Sequence, residues 1–146
     1  MKKHYAFVTT LLLVLYIGCS MMGNKTKKSI VGIWTGKGQQ GSEVTLTFKE
    51  DMTMTMSFDM GDNEFTMNGK YTANLSKNPA VIDLLDIEFP QSDMTLCCMA
   101  IAEFPTEGKM NIYGLFGQSG EVIRPTEFNR NPSERRQMYL ELMKKE

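Results

Sequence analysis

From residue 30 onward the apolar positions of this chain recur at every second residue, in short runs divided by turn residues. Val44, Leu46 and Phe48 alternate with Glu43, Thr45, Thr47 and Lys49. Met52, Met54, Met56, Phe58 and Met60 alternate with Thr53, Thr55, Ser57 and Asp59. A period of two belongs to the β-strand, whose successive side chains point to opposite faces, so each run offers one face to a core and one to water. Lys49-Glu50-Asp51 and Gly61-Asp62-Asn63 turn the chain between runs, which makes neighbouring runs antiparallel with matched faces. Phe65, Met67 and Tyr71 continue the alternation on a long strand, in which Gly69 suits a bulge or a close backbone approach. Ser76-Lys77-Asn78-Pro79 ends it.

Further strands are expected over residues 31–37, 81–89, 95–104, 109–116 and 121–124, those at 81–89 and 95–104 being apolar on both faces in part. Eight strands at about ten-residue spacing describe an up-and-down barrel, whose closure removes the sheet edges that an open arrangement leaves exposed. The tail changes period. Asn131 suits a helix N-cap, Pro132 the first helical position and Glu134 the capping-box position, while Lys144 and Lys145 fall where the helix dipole favours cations. A helix over 132–145 follows, with Met138, Tyr139, Leu142 and Met143 as an apolar stripe against the outside of the barrel. The expected fold is all-β, an eight-stranded antiparallel barrel with a C-terminal α-helix.

The first residues follow a different logic. Lys2 and Lys3 precede an apolar run over 6–17, closed by Gly18-Cys19, in the layout of a secretory signal. The run is too short to cross a bilayer and contains Thr9 and Thr10. Its end resembles the lipobox of bacterial lipoproteins, although Tyr16 stands where that motif usually has leucine and Leu15 lies one step earlier. The resemblance implies cleavage before Cys19 and lipidation of that residue, with several acyl chains to give stable anchoring. Cleavage after Ser20, giving a freely secreted protein, is the alternative. The organisation is then a signal peptide over 1–18, a lipidated cysteine and tether over 19–29, a barrel over 30–130 and a helix over 131–146.

Loss of the signal changes the available chemistry. The single histidine, His4, leaves with it, and this excludes Ser-His-Asp and Cys-His catalysis and histidine metal sites. Two of the 16 basic residues leave as well, against 17 acidic residues that all remain. A mildly acidic chain without a basic block does not suit nucleic acid.

Gly32-Ile33-Trp34 on the first strand resembles the Gly-x-Trp of lipocalins, and Arg124 matches the arginine that stacks on that tryptophan. Asn78-Pro79 followed by Ile82-Asp83-Leu84, and Arg124-Pro125-Thr126-Glu127-Phe128, resemble a group of short bacterial lipocalin-like domains often carried on lipoproteins. The likeness covers about residues 30–128. It implies a lipocalin-like barrel closed by Gly32, Trp34 and Arg124, and says little about activity, since a shared barrel does not transfer a function.

Eight strands enclose a space that is either filled by side chains or holds one small ligand. Met54, Met56, Phe58, Phe65 and Met67 are the candidate lining for a small apolar ligand, because thioethers adapt to irregular apolar shapes. The same ladder through Met52, Met54 and Met56 raises Cu(I) binding as a lesser alternative. Asp86 and Glu88 read as a solvated face, and Asp83 as an acceptor of backbone hydrogen bonds; no nucleophile stands with them, so neither catalysis nor a cofactor is expected. Adjacent Cys97 and Cys98 point to opposite faces of a strand and read as buried apolar residues. The expected partners are a membrane through Cys19, a small apolar ligand, or an envelope protein met by the loops, as in a side-chain-filled barrel.

Overall fold

The computed structural model describes residues 29–146 apart from 39, 40, 60, 62 and 91. The expected signal peptide, Cys19 and most of the expected tether therefore lie outside the described residues. Eight strands follow in order: β1 Gly32–Lys37, β2 Glu43–Phe48, β3 Thr53–Asp59, β4 Glu64–Asn74, β5 Ala80–Glu88, β6 Thr95–Glu103, β7 Lys109–Gly117 and β8 Gln137–Lys144. Each pairs antiparallel with the next, and β1 pairs with β8, so the sheet closes into a barrel. The alternation along β2 to β4 sets the register: Leu46 faces Met56, and Met56 faces Met67, all turned inward and buried.

Two features bend the wall. Between Asn68 and Lys70 the β4–β5 register shifts, and a Cβ at Gly69 would stand 2.8 Å from the Leu85 carbonyl oxygen, so only glycine fits there. At the seam, a Cβ at Gly36 would collide with the Glu141 carbonyl oxygen, so the missing side chain lets β1 close on β8.

The tail departs from expectation. Among the described residues there is no α-helix; the stretch expected to be helical supplies β8, and residues 121–124, expected to be the eighth strand, belong to the connection 118–136. Met138, Leu140 and Leu142 alternate, and all three are buried inside the barrel. The free edge of β1 needs a partner with period two, and long-range pairing overrides the local capping signals. Those signals serve turns instead: Asn131 donates its backbone N–H to Asn129 Oδ1, and Gln137 donates to the Glu134 carbonyl.

The connection 118–136 lies as a strap over the outside of the barrel. Arg124 donates from one guanidinium nitrogen to both oxygens of Asp83 on β5, at 2.6 and 2.7 Å. Arg130 donates to Glu103 of β6 at 2.8 Å and to Tyr139 of β8 at 3.0 Å. The strap explains why β6 and β7 are apolar on both faces: Cys97, Ile101 and Tyr113 point outward and are nevertheless buried.

Candidate functional site

The two ends of the barrel are built differently. One end holds the start of β1 and the close of β8. There Trp34, 2% exposed, donates its indole N–H to the Ile30 carbonyl at 2.7 Å and meets Phe104 edge to face at 6.3 Å. Phe48 and Tyr71 pack edge to face at 4.8 Å, and the Tyr71 hydroxyl donates to the Lys49 carbonyl. Burial, with Asp51 and Glu50 nearby, raises the Tyr71 pKa above its ordinary value. Two ring pairs with both polar tips satisfied thus fill this end, which we call the shut end.

The cation over the tryptophan is a correction to the expected arrangement. Lys144 Nζ lies 5.5 Å from the Trp34 ring centroid, whereas Arg124 belongs to the strap and holds Asp83 and the Met99 thioether. Gly32 serves this contact: its φ of +131° is one that side chains rarely adopt, and a Cβ would stand 2.8 Å from Lys144 Cε. Asp83 likewise accepts a guanidinium rather than backbone N–H groups.

At the opposite end the wall ends in a ring of phenylalanines. Phe58 and Phe65 stand directly opposite on the β3–β4 hairpin. Phe89, just beyond β5, packs on Phe65 at 5.9 Å with the rings tilted by 46°. Phe116 lies opposite Cys98 near the end of β7, and its backbone N–H donates to the Arg136 carbonyl, which pins the end of the strap at the rim. These rings, with Met67 and Leu96, enclose an open cup of about 560 Å³, with Ser42, Gln118, Glu121, Arg135 and Arg136 among its polar lining. Side chains that would fill a core stay half-buried here, with nothing capping them among the described residues.

Of the candidate lining residues, the structure places Phe58, Phe65 and Met67 in the cup. Met54 and Met56 lie deeper, 1% and 0% exposed, as parts of the packed core. Met52 sits exposed on the turn before β3, so the three methionines share no accessible face. Phe89, Leu96, Phe116 and the two arginines were not singled out by sequence; Phe89 and Leu96 flank one turn, where an apolar residue at each strand end could have marked a rim. Asp86 and Glu88 are exposed, and Asp86 pairs with Lys70 at 2.9 Å. Cys97 and Cys98 are free and buried, and burial pushes the Cys98 thiol well above its ordinary pKa.

A larger groove of about 800 Å³ lies toward the shut end, lined by Lys77, Asn78, Glu103, Asn111, Arg130 and Glu141 among others. Its central charges are already engaged, since Glu103 accepts from both Arg130 and Asn111. The smaller cup is the better candidate because its apolar rings are uncovered. Comparison with family models, curated proteins and solved structures finds no match for this chain. The reading of the cup therefore rests on its geometry.

Proposed function

We propose that this protein is a lipocalin-like, membrane-anchored lipoprotein that binds one small apolar ligand in the mouth of its barrel and catalyses no reaction. The observation that carries the reading is the phenylalanine cup: four rings around about 560 Å³, within the size range of small-molecule sites. Burying an apolar ligand there removes both its surface and the rings from water, at roughly 25 cal/mol per Å² of apolar area. The flexible thioether of Met67 in the wall lets the cup adjust to the ligand's outline.

Anchoring through Cys19 is supported by the sequence at residues 16–20. Radiolabelled fatty acid should mark the wild-type protein and leave Cys19→Ala unmarked; equal label in both makes the protein a freely secreted barrel. For the cup, native mass spectrometry of protein purified without detergent should find one apolar molecule bound, or one taken up from added lipid. A bare mass after lipid incubation would sink the ligand reading and leave a barrel that acts through its outer surface.

A further inference from the structure

All four arginines of this chain lie in the strap, at 124, 130, 135 and 136, while its other twelve cations are lysines spread over the rest of the sequence. Arginine differs from lysine in its planar fork of donors, which matches a carboxylate or phosphate with two hydrogen bonds. Two of the four spend donors on the barrel itself, Arg124 from one nitrogen on both oxygens of Asp83 and Arg130 from two nitrogens on Glu103 and Tyr139. Arg135 and Arg136 do not. Among the described residues neither makes an ion pair, and both line the cup. The backbone that carries them is held at the rim, because the Arg136 carbonyl accepts from Phe116 and the Gln137 N–H bonds back to the Glu134 carbonyl. Among the described residues Glu121 is the one carboxylate in the lining, which sets two positive groups against one negative one.

Resting on the reading of the cup as a ligand site, we propose that its occupant is an amphiphile with an anionic head group, the head held by Arg135 and Arg136 and the tail lying among Phe58, Phe65, Phe89 and Phe116. A neutral hydrocarbon gains nothing from the exposed guanidinium groups at the rim, whereas a carboxylate or phosphate monoester offers them a charged acceptor in place of water. Outside this pair the described strand ends and turns at the mouth carry Glu43, Asp59, Glu64, Glu88 and Asp93 against Lys37 at the end of β1. That acidic surround repels an anionic bilayer, so the ligand enters as a single molecule rather than by docking of the mouth on a membrane.

The test is a titration of the purified full-length chain with dodecanoate, dodecyl phosphate and dodecan-1-ol, which share one tail. A charge-assisted pair at a partly exposed rim predicts that at least one anion binds about tenfold tighter than the alcohol. Arg135→Gln with Arg136→Gln should abolish the preference and leave the affinity for dodecan-1-ol within about twofold, which also reports that the variant is folded. Carboxylate and phosphate heads are separated by which anion shows the preference. Equal binding of all three to the wild type, or a preference that survives the double substitution, overturns the head-group assignment while the cup stands. No binding of any of the three overturns the cup itself. Dodecanoate uptake that needs phosphatidylglycerol vesicles, and fails from solution, overturns entry as a single molecule.

Discussion

The shut end and the mouth of this barrel contain the same kinds of side chain in different employment. At the shut end Trp34 packs on Phe104 and Phe48 on Tyr71, and the two polar atoms among them, the indole N–H and the tyrosine hydroxyl, each reach a backbone carbonyl. At the mouth four phenylalanines with no polar atom to satisfy stand half-buried around the open cup. A barrel of eight strands has just enough interior to be filled, so leaving one end unfilled forgoes stability that the other end supplies. Where polar tips are anchored the rings serve packing, and where they are absent the rings remain available to a guest.

That contrast can be broken by substitution. Trp34→Ala should cost about 3–5 kcal/mol of unfolding free energy in urea titration, by the cavity it leaves in a packed region; a loss below about 1 kcal/mol would mean the shut end is not filled. Phe65→Ala should cost less, about 1–2 kcal/mol, because the ring is only half-buried, and should weaken an apolar fluorescent probe about tenfold. If Phe65→Ala proves as destabilising as Trp34→Ala and leaves probe binding intact, the two ends are alike and the contrast is lost. Asp83→Asn removes the charged partner of Arg124 in a partly exposed pair, at about 1 kcal/mol. Its signature should be faster amide exchange confined to residues 118–136; unchanged exchange there would show that the pair does not hold the strap.

The smallest effect at neutral pH concerns Tyr71. Its pKa is raised above 10.0 in the fold, so the folded state keeps a proton that the unfolded chain releases first. Stability is therefore full below the unfolded value and falls as pH rises through 10.0, a range in which the raised Tyr139 adds to the slope and the raised Cys98, from 9.0, begins it. Tyr71→Phe should flatten part of this decline in unfolding titrations taken across pH 8 to about 11, after losing about 1 kcal/mol at neutral pH with the hydrogen bond to Lys49. An alkaline slope identical to that of the wild type would place the titration elsewhere.

The alternation of Val44-Leu46-Phe48 and Met54-Met56-Phe58 was legible because these strands have one wet and one buried face, and Gly69 was legible as a bulge for want of any other use for glycine mid-strand. The tail was not. Tyr139 and Met143 place apolar groups on the outer face of β8, which blurs its period two, and the capping residues Asn131 and Glu134 bias the reading toward a helix. What decides the matter is the free edge of β1 far away in sequence, which no local window contains. The same non-locality hid the exchange of Arg124 for Lys144 over Trp34, since either cation satisfies the ring and only the path of the strap determines which one arrives. For the cup, Phe58, Phe65 and Met67 followed from alternation, but the depth at which filling stops does not appear in a pattern of apolar positions.

The seam between β1 and β8 joins Trp34 to Lys144 and Lys37 to Glu141, more than a hundred residues apart. A ribosome delivers the first strand long before the last, so β1 waits with one edge unpaired while the other seven strands are made. The barrel can close only after β8 has left the exit tunnel. Any defect there, such as a frameshift or a late stop codon, yields a chain whose first strand stays open to pairing with its own copies rather than a protein missing a dispensable tail.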